Sequence, residues 1–251
     1  AAYKHVPLLQ DYKNYSMALK NNFIATFNLC EIAYRNRLKS FTLISTDKAV
    51  NPTNIMGASK RLAELSLQGF QDKDNNKTSF SMVRFGNVLN SSGSVVPLFW
   101  NQINEGGPVT VTDENVNRFF MTIEEASSLV IQASFLARGG EVFLLDMGNP
   151  LKILDLAKRM IRLSGNSVAE KGTKNGIEIV FSGLRPGEKL YEELLLSRNP
   201  IKTNNPKISK GIEKSFPLDE IKSLKDKIGN LGNSIDYANI SSEISKYVDG
   251  Y

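Results

Sequence analysis

The sequence predicts an α/β fold in which a doubly wound parallel sheet is joined to a smaller α/β lobe. Two observations lead to this fold class. Helical and extended patterns alternate over roughly the first 90 residues, as they do in β-α-β units with right-handed crossovers. The strand predicted at residues 41–44 is almost continuously apolar, which is typical of a strand buried on both faces of a parallel sheet.

The elements of the first part follow in chain order. A long amphipathic helix is predicted at residues 15–37, a strand at 41–44, a helix at 57–71 and a strand at 80–85 that ends in Gly86-Asn87. Apolar residues recur with helical spacing in the two helices, whereas the strands are short and bounded by polar or Gly residues. This order predicts neighbouring parallel strands joined by helices.

After Gly93 the elements become shorter, and Gly, Pro and Asn become more frequent. Helices are predicted at 95–104, 123–137 and 151–163, and strands at 109–112, 142–146 and 177–181. We interpret this part as a smaller lobe that covers the crevice of the sheet. The last residues, with two weak helical patterns at 218–227 and 235–248, predict a peripheral tail. The predicted division is therefore 1–92, 93–210 and 211–251.

Composition excludes several classes of function. The 251 residues carry 31 Lys and Arg against 26 Asp and Glu, with basic and acidic residues interspersed, so no nucleic-acid surface is predicted. With one histidine, His5, and one cysteine, Cys30, a metal site is not expected. A single cysteine forms no internal disulfide, which favours a reducing compartment. No run reaches the roughly 20 apolar residues of a membrane span, and the sequence predicts a cytoplasmic domain.

The polar residues that follow the first strand are the principal functional candidates. Ser45-Thr46-Asp47-Lys48 comes directly after residues 41–44, and open α/β sheets bind ligands beyond the carboxyl ends of their strands. Met56 and Lys60 are four residues apart at the start of the next helix, which places them on one face, one turn apart. An acid, two amines and a hydroxyl are thus predicted at one sheet edge.

Together with Arg84-Phe85-Gly86-Asn87-Val88, these motifs resemble the extended short-chain dehydrogenase/reductase family, in particular its nucleotide-sugar 4,6-dehydratases. Members usually carry Tyr where this chain has Met56, and Glu where it has Lys48. Both departures are typical of the UDP-N-acetylglucosamine 4,6-dehydratases of capsule, O-antigen and glycan synthesis. Residues 118–122 and 184–193 resemble the substrate-lobe motifs of that branch.

The resemblance implies a Rossmann-like fold, NAD as cofactor and a UDP-sugar as substrate. It implies dehydration of UDP-N-acetylglucosamine to a UDP-4-keto-6-deoxy-N-acetylhexosamine, through C4 oxidation, loss of water across C5 and C6, and hydride return to C6. No Gly-x-Gly-x-x-Gly triplet is present, so the first half of the dinucleotide-binding domain is expected upstream. This chain alone is then expected to bind NAD weakly and to be inactive.

The resemblance also concerns assembly and location. Residues 194–196 and 206–208 resemble the long, membrane-anchored members, in which an upstream segment would tether this cytoplasmic domain to the inner membrane. A homo-oligomer is expected through the two long helices at 15–37 and 57–71, whose apolar content suggests a shared interface.

Chemistry suggests a role for each catalytic candidate. Thr46 can donate a hydrogen bond to the C4 oxygen. Asp47 can protonate the leaving C6 hydroxyl if burial raises its pKa, and Lys48 can take the C5 proton if desolvation or the nearby Lys60 lowers its pKa. Met56 cannot accept the C4 hydroxyl proton. Asp47 is favoured as that first base, with Lys48 as the alternative, and Met56 could equally be core filler.

The remaining candidates are binding residues, mostly implied by the resemblance. Lys60 is expected to hold the nicotinamide ribose, and Asn22 resembles a family asparagine that supports the backbone beside it. Arg118 and Arg185 suit a diphosphate because a guanidinium binds phosphate through two parallel bonds, although Arg118 could instead pair with Glu124 or Glu125. The cofactor-binding candidates are Ala2, Tyr3, Ser45, Lys60, Phe85, Asn87 and Val88; the substrate-binding candidates are Lys4, Asn87, Val95, Arg118, Arg185 and Glu188.

Two other classes of function stay open at this point. One is an NAD-dependent nucleotide-sugar epimerase or reductase on the same scaffold, but those enzymes keep the tyrosine that Met56 replaces. The other is a non-catalytic module that binds a nucleotide sugar without turnover. The outcome at C5, retention or inversion, depends on which face is reprotonated and stays open too.

Overall fold

A computed structural model describes residues 2–9, 14–169, 176–193, 200–211, 213–230 and 237–251. The chain forms two compact units. The first comprises Ala1–Phe85, Ser127–Asp146 and Glu193–Tyr251, and the second comprises Gly86–Ala126 and Met147–Glu192. Residues 194–196, which carry part of the resemblance to membrane-anchored members, lie outside the described residues.

The helices and strands are as follows. The α-helices are α1 Val6–Leu9, α2 Tyr15–Ala18, α3 Ala25–Arg35, α4 Ile55–Gln71, α5 Val95–Asn104, α6 Ile123–Leu136, α7 Ile153–Leu163, α8 Leu218–Asn230 and α9 Tyr237–Ser245. The strands are β1 Ser40–Ile44, β2 Ser79–Arg84, β3 Asn87–Val88, β4 Val109–Val111, β5 Asn117–Arg118, β6 Phe120–Met121, β7 Val142–Leu145, β8 Leu151–Lys152, β9 Ile179–Phe181, β10 Ile201–Lys202 and β11 Ile208–Gly211.

The first unit is built on a sheet with the strand order β1-β2-β7-β11-β10. Strands β1, β2 and β7 are parallel, and β11 and β10 add an antiparallel edge. The predicted α/β class with a parallel sheet is confirmed. Strand β7 was predicted in the smaller lobe, but it pairs with β2 in the large sheet. Its four residues are all buried, as expected for a central strand.

The predicted helix at 15–37 consists of α2, a π-helical segment at Leu19–Ile24, and α3 in direct succession. A π-helical segment inserts an extra residue into the turn and is often found at functional sites. Here the segment contains Asn22, whose side chain is buried. The sequence pattern predicted the helix but not this local widening.

Helix α4 lies at the centre of the first unit, and every residue from Ile55 to Phe70 is buried. It contacts α3, β2 and α8. Its apolar residues therefore serve the core of this unit and do not indicate an interface between subunits. The preceding helix does expose Met17, Leu29 and Ile32.

The C-terminal residues are not the peripheral tail that the sequence predicted. Helices α8 and α9 place Ile221, Leu224, Ile240 and Ile244 in the same hydrophobic core as α4. The few apolar residues of α8 and α9 recur with helical spacing. They form a narrow apolar stripe on each helix, which suffices to pack the helix against the core. The helix predicted at 235–248 is observed as Tyr237–Ser245, and residues 235 and 236 lie outside the described part.

The described residues of the second unit form short strand pairs and the helices α5 and α7. Strand β3 pairs with β6 and β4 with β9 in parallel, whereas β5 pairs with β8 antiparallel. Helices α5 and α7 enclose a core with β4 that includes Phe99, Val109 and Met160. No helix within the described ranges has both the length and the apolar character needed to cross a lipid bilayer.

Candidate active site

The turn that follows β1 is held to the end of β2 by backbone hydrogen bonds. Ser45 N donates to Val83 O at 2.8 Å, and Asp47 N donates to Phe85 O at 3.2 Å. The parallel ladder thus continues past the ends of both strands, and Asp47–Ala49 form a single 3₁₀ turn. This arrangement fixes Asp47 at the carboxyl edge of the sheet, where its side chain is completely buried.

The two carboxylate oxygens of Asp47 differ in their hydrogen bonds among the described residues. Its Oδ1 accepts hydrogen bonds from Thr46 Oγ1 at 2.8 Å and from Lys48 Nζ at 3.1 Å. Its Oδ2 is buried, and no residue in the described part of the chain forms a hydrogen bond with it. A buried carboxylate oxygen without a partner is costly, so it marks this atom as a candidate for ligand contact.

Helix α4 begins directly against this turn. Asn54 caps the helix and accepts a hydrogen bond from Gly57 N at 2.9 Å. A Cβ atom at position 57 would lie 2.1 Å from Lys48 O and 2.9 Å from Pro52 Cβ. Glycine is therefore required for this approach. The first turn also buries Met56, and the catalytic candidates Thr46, Asp47, Lys48, Met56 and Lys60 all belong to this turn and helix.

Lys60 follows Met56 by one helical turn and faces the end of β1. Its Nζ donates a hydrogen bond to Ile44 O at 2.6 Å. Burial lowers the pKa of this amine from its ordinary value, and the negative charge of Glu64 opposes that shift. The ε-amine is thus anchored at the sheet edge while it is largely withdrawn from water.

Asn22 connects this region to the beginning of the chain. Its side chain accepts a hydrogen bond from Tyr3 N at 2.8 Å and donates one to Tyr3 O at 3.0 Å. It also donates to Ser59 Oγ at 3.0 Å, next to Lys60. The backbone of Tyr3 is thereby held near α4, while the neighbouring Ala2 and Lys4 are exposed.

A buried ionic cluster behind the turn was not predicted. Arg84 is completely buried, and its guanidinium binds Glu64 at 2.5 and 2.7 Å and Glu213 at 2.5 and 2.7 Å. Arg61 lies 3.0 Å from Glu64 and 3.6 Å from Glu213. The arginines hold the pKa of Glu64 at about 2 despite its burial, and the two acids raise the pKa of Arg84.

Of this cluster, only Arg84 belongs to a motif that the sequence singled out, residues 84–88. Glu64 has a local signal, because a carboxylate inside an apolar helix, one turn after Lys60, requires a buried partner. Glu213 has no such local signal in the sequence, since 129 residues separate it from Arg84.

The substrate-binding candidate Arg118 lies in the second unit and is engaged by two acids. Its guanidinium lies 3.2 Å from Glu188 Oε1 and 3.8 Å from Glu192 Oε1. Its acidic partners are thus residues of the segment after β9 rather than Glu124 or Glu125. Arg118 would contact a diphosphate only by exchanging these partners.

The other candidates of the second unit lie in three places. Asn87 donates hydrogen bonds from its backbone and its side chain to Phe119 O, both at 3.1 Å, and Val88 follows it in β3. Val95 begins α5 after Ser94. Arg185 is exposed, and its turn is closed by Glu188 N, which donates to Arg185 O at 2.9 Å.

Comparisons with known proteins agree with this architecture. The family model described as "Polysaccharide biosynthesis protein" matches residues 1–212. The capsular polysaccharide biosynthesis protein CapD of Staphylococcus aureus is 59% identical over 195 residues, which is 78% of this chain and 31% of CapD. The probable polysaccharide biosynthesis protein EpsC of Bacillus subtilis is 50% identical over 222 residues, 87% of this chain and 35% of EpsC. The chain thus spans about a third of the length of these relatives.

Among solved structures, Pen from Bacillus thuringiensis is 33% identical and has a TM-score of 0.75, covering 92% of this chain and 73% of Pen. Nucleotide-sugar dehydratases and epimerases with 18 to 19% identity, several of them with NAD bound, share the fold. The Rossmann-like class predicted from the sequence is confirmed by these neighbours.

Proposed function

The chain belongs to the polysaccharide biosynthesis protein family, and from this membership we propose that it performs the chemistry of a UDP-N-acetylglucosamine 4,6-dehydratase. In the proposed reaction C4 of the hexosamine becomes a ketone, the C6 hydroxyl leaves as water and C6 becomes a methyl group. The product, a UDP-4-keto-6-deoxy-N-acetylhexosamine, would serve bacterial surface polysaccharide or glycan synthesis.

NAD is the proposed cofactor, and the residues at the sheet edge are compatible with its nicotinamide ribose. An ammonium group has three donors, of which Lys60 gives one to Ile44 O, and we assign another to a ribose hydroxyl. The Tyr3 backbone held by Asn22 would line the same part of the site. When bound, NAD supplies a hydride acceptor for C4 and a hydride donor for C6.

The observation that carries the proposal is the open oxygen of Asp47. A carboxylate oxygen that is buried and has no hydrogen-bond partner among the residues that the structure describes can accept the proton of the C4 hydroxyl when the sugar enters. The same group, now protonated, can deliver that proton to the leaving C6 hydroxyl. One acid therefore acts twice, and no proton has to be exchanged with solvent between the two steps.

Thr46 and Lys48 have supporting roles in this scheme. Thr46 Oγ1 donates to Asp47 Oδ1, and it would turn to the C4 oxygen once Asp47 has taken up the proton. Lys48 is the proposed base for the C5 proton, whose acidity arises from the adjacent ketone. Its Nζ is 3.1 Å from Asp47 Oδ1, so base and acid are adjacent.

The epimerase alternative is disfavoured by Met56. This residue is buried in the first turn of α4, where an epimerase of this scaffold has a tyrosine. Its thioether neither donates nor accepts the proton that oxidation at C4 releases. If Asp47 is the first base, it becomes protonated and can then act as an acid at the C6 hydroxyl. Epimerisation at C4 does not need an acid at C6.

The test uses protein that includes the Gly-x-Gly-x-x-Gly half expected upstream of this chain. It compares Asp47→Asn with Asp74→Asn, an exposed acid at the opposite edge of the sheet. UDP-6-deoxy-N-acetylglucosamine lacks the leaving group, so it isolates oxidation at C4, which is measured by trapping the ketone with borodeuteride and mass spectrometry. We expect Asp47→Asn to lose about 10²–10⁴-fold in ketone formation and Asp74→Asn to retain it. Oxidation by Asp47→Asn at the wild-type rate would exclude Asp47 as the first base.

A further inference from the structure

The ionic cluster behind the turn contains two positive and two negative side chains. Arg61, Glu64, Arg84 and Glu213 are all buried. Removing charges from water is expensive, and a buried ion pair is often no more stabilising than apolar residues of the same volume. Stability alone is therefore a weak reason for this cluster.

Glu64 is the member that contacts the candidate site. Its Oε1 accepts a hydrogen bond from Ser45 Oγ at 2.6 Å and another from Arg84 Nε at 2.7 Å. Ser45 is the residue immediately before Thr46 and Asp47. The carboxylate thus connects the start of the turn to the buried end of β2.

Glu64 also acts on Lys60, which lies one turn earlier on the same helix. Its negative charge opposes the effect of burial on the Lys60 amine. Other charged groups on the elements around this amine are Arg61 on α4, Asp47 and Lys48 on the turn, and Arg84 on β2. Glu64 is therefore bonded to the turn through Ser45 and acts on Lys60 through its charge.

We propose that Glu64 is a positioning residue that sets the place of the Thr46–Asp47 turn, with Arg84 as its buried counterion, and that its charge acts on the Lys60 amine one helical turn away. Four donors converge on its two oxygens, from Ser45, Arg61 and Arg84. A glutamine has one acceptor oxygen and a donating NH₂ group, so it cannot satisfy this arrangement. The role in turnover rests on the proposed dehydration.

Glu213 offers a matched control for the structural effect. It binds Arg84 at the same distances as Glu64 and lies near Arg61, but among the described residues it forms no hydrogen bond with Ser45 and no ion pair with Lys60. Loss of either acid leaves a buried arginine with one partner, so both variants are expected to lose stability. Only loss of Glu64 should disturb the site.

The experiment compares Glu64→Gln, Glu213→Gln and Ser45→Ala with the wild type, all in protein that includes the Gly-x-Gly-x-x-Gly half expected upstream of this chain. Ser45→Ala removes the hydrogen bond to Glu64 and keeps every charge. It therefore tests the positioning role of Glu64 even if Glu64→Gln does not fold. We expect kcat for UDP-N-acetylglucosamine to fall about 10–100-fold in Glu64→Gln, as small displacements of catalytic groups do. Ser45→Ala should lower kcat with little loss of stability, and Glu213→Gln should keep kcat near wild type.

A second readout does not depend on turnover. The Lys60 amine is followed by NMR of the protein labelled with [6-¹³C]lysine, and its signal is assigned with Lys60→Arg. We expect its pKa to fall further in Glu64→Gln and to stay unchanged in Glu213→Gln. If wild-type protein leaves the UDP-sugar unchanged, the proposed function fails, while this titration still tests the positioning role. Equal effects of Glu64→Gln and Glu213→Gln on kcat and on the Lys60 signal would overturn the positioning role of Glu64.

Discussion

Replacing Gly57 with alanine tests how closely α4 must approach the turn after β1. The added Cβ would lie 2.1 Å from Lys48 O, well inside ordinary van der Waals contact, and its neighbour is backbone that cannot rotate away. Overpacking of this kind costs about 1–3 kcal/mol, and a contact this short belongs near the upper value. Alanine gains roughly 1 kcal/mol of helix propensity over glycine. The expected net loss is about 2 kcal/mol.

The assay is urea unfolding of the wild type, Gly57→Ala and a control, Gly229→Ala. Gly229 lies near the end of α8, and a Cβ there would meet no atom within 4 Å, so the control should be unchanged or slightly more stable. Catalysis should respond as well, because relief of the clash moves α4 away from Asp47. Gly57→Ala should thus lose turnover as well as stability.

The reasoning is refuted if Gly57→Ala unfolds at the same or a higher urea concentration than the wild type and keeps its activity. That result would mean that α4 and the turn can separate without consequence for the site.

Three further results are expected. Because the pKa of Glu64 lies at about 2 instead of 4.5, its stabilisation, on the order of 3 kcal/mol, is present above pH 4.5 and lost as the pH falls toward 2. Acid titrations of urea unfolding should show this loss in the wild type and not in Glu64→Gln. Arg185→Ala should raise KM for the nucleotide sugar far more than it lowers kcat; the reverse pattern would place Arg185 at the reacting atoms. Burial raises the pKa of the Cys30 thiol, so an aromatic disulfide reagent should react with it only after unfolding, and fast labelling of the native protein would contradict the described packing.

The periodic elements were predictable because their signals are local. The predicted helix at 95–104 is observed as Val95–Asn104, and the strand at 41–44 as Ser40–Ile44. Helical and strand periodicities arise from residues that are close in sequence. The residues of the turn could likewise be placed at the carboxyl edge, since the position of a residue after a buried strand determines its edge.

What the sequence did not predict depends on contacts between distant residues. Strand β7 joins the large sheet through β2, and β11 and β10 complete it from the C-terminal part of the chain. Arg118 pairs with Glu188 and Glu192, which lie about 70 residues further along the chain. Glu213 meets Arg84 across a still longer separation. No periodicity in one sequence reports such pairs, and each was missed for that reason.

The most direct test of the account is proton NMR of UDP-N-acetylglucosamine in heavy water with NAD and protein that includes the Gly-x-Gly-x-x-Gly half expected upstream of this chain, followed at C5 and C6 over time. The account predicts a C6 methyl signal together with deuterium at C5, and the couplings of the product would define the configuration at C5. A sugar that keeps its C6 hydroxyl, whether unchanged or epimerised at C4, would contradict the assignment of Asp47 and Lys48 to a dehydration.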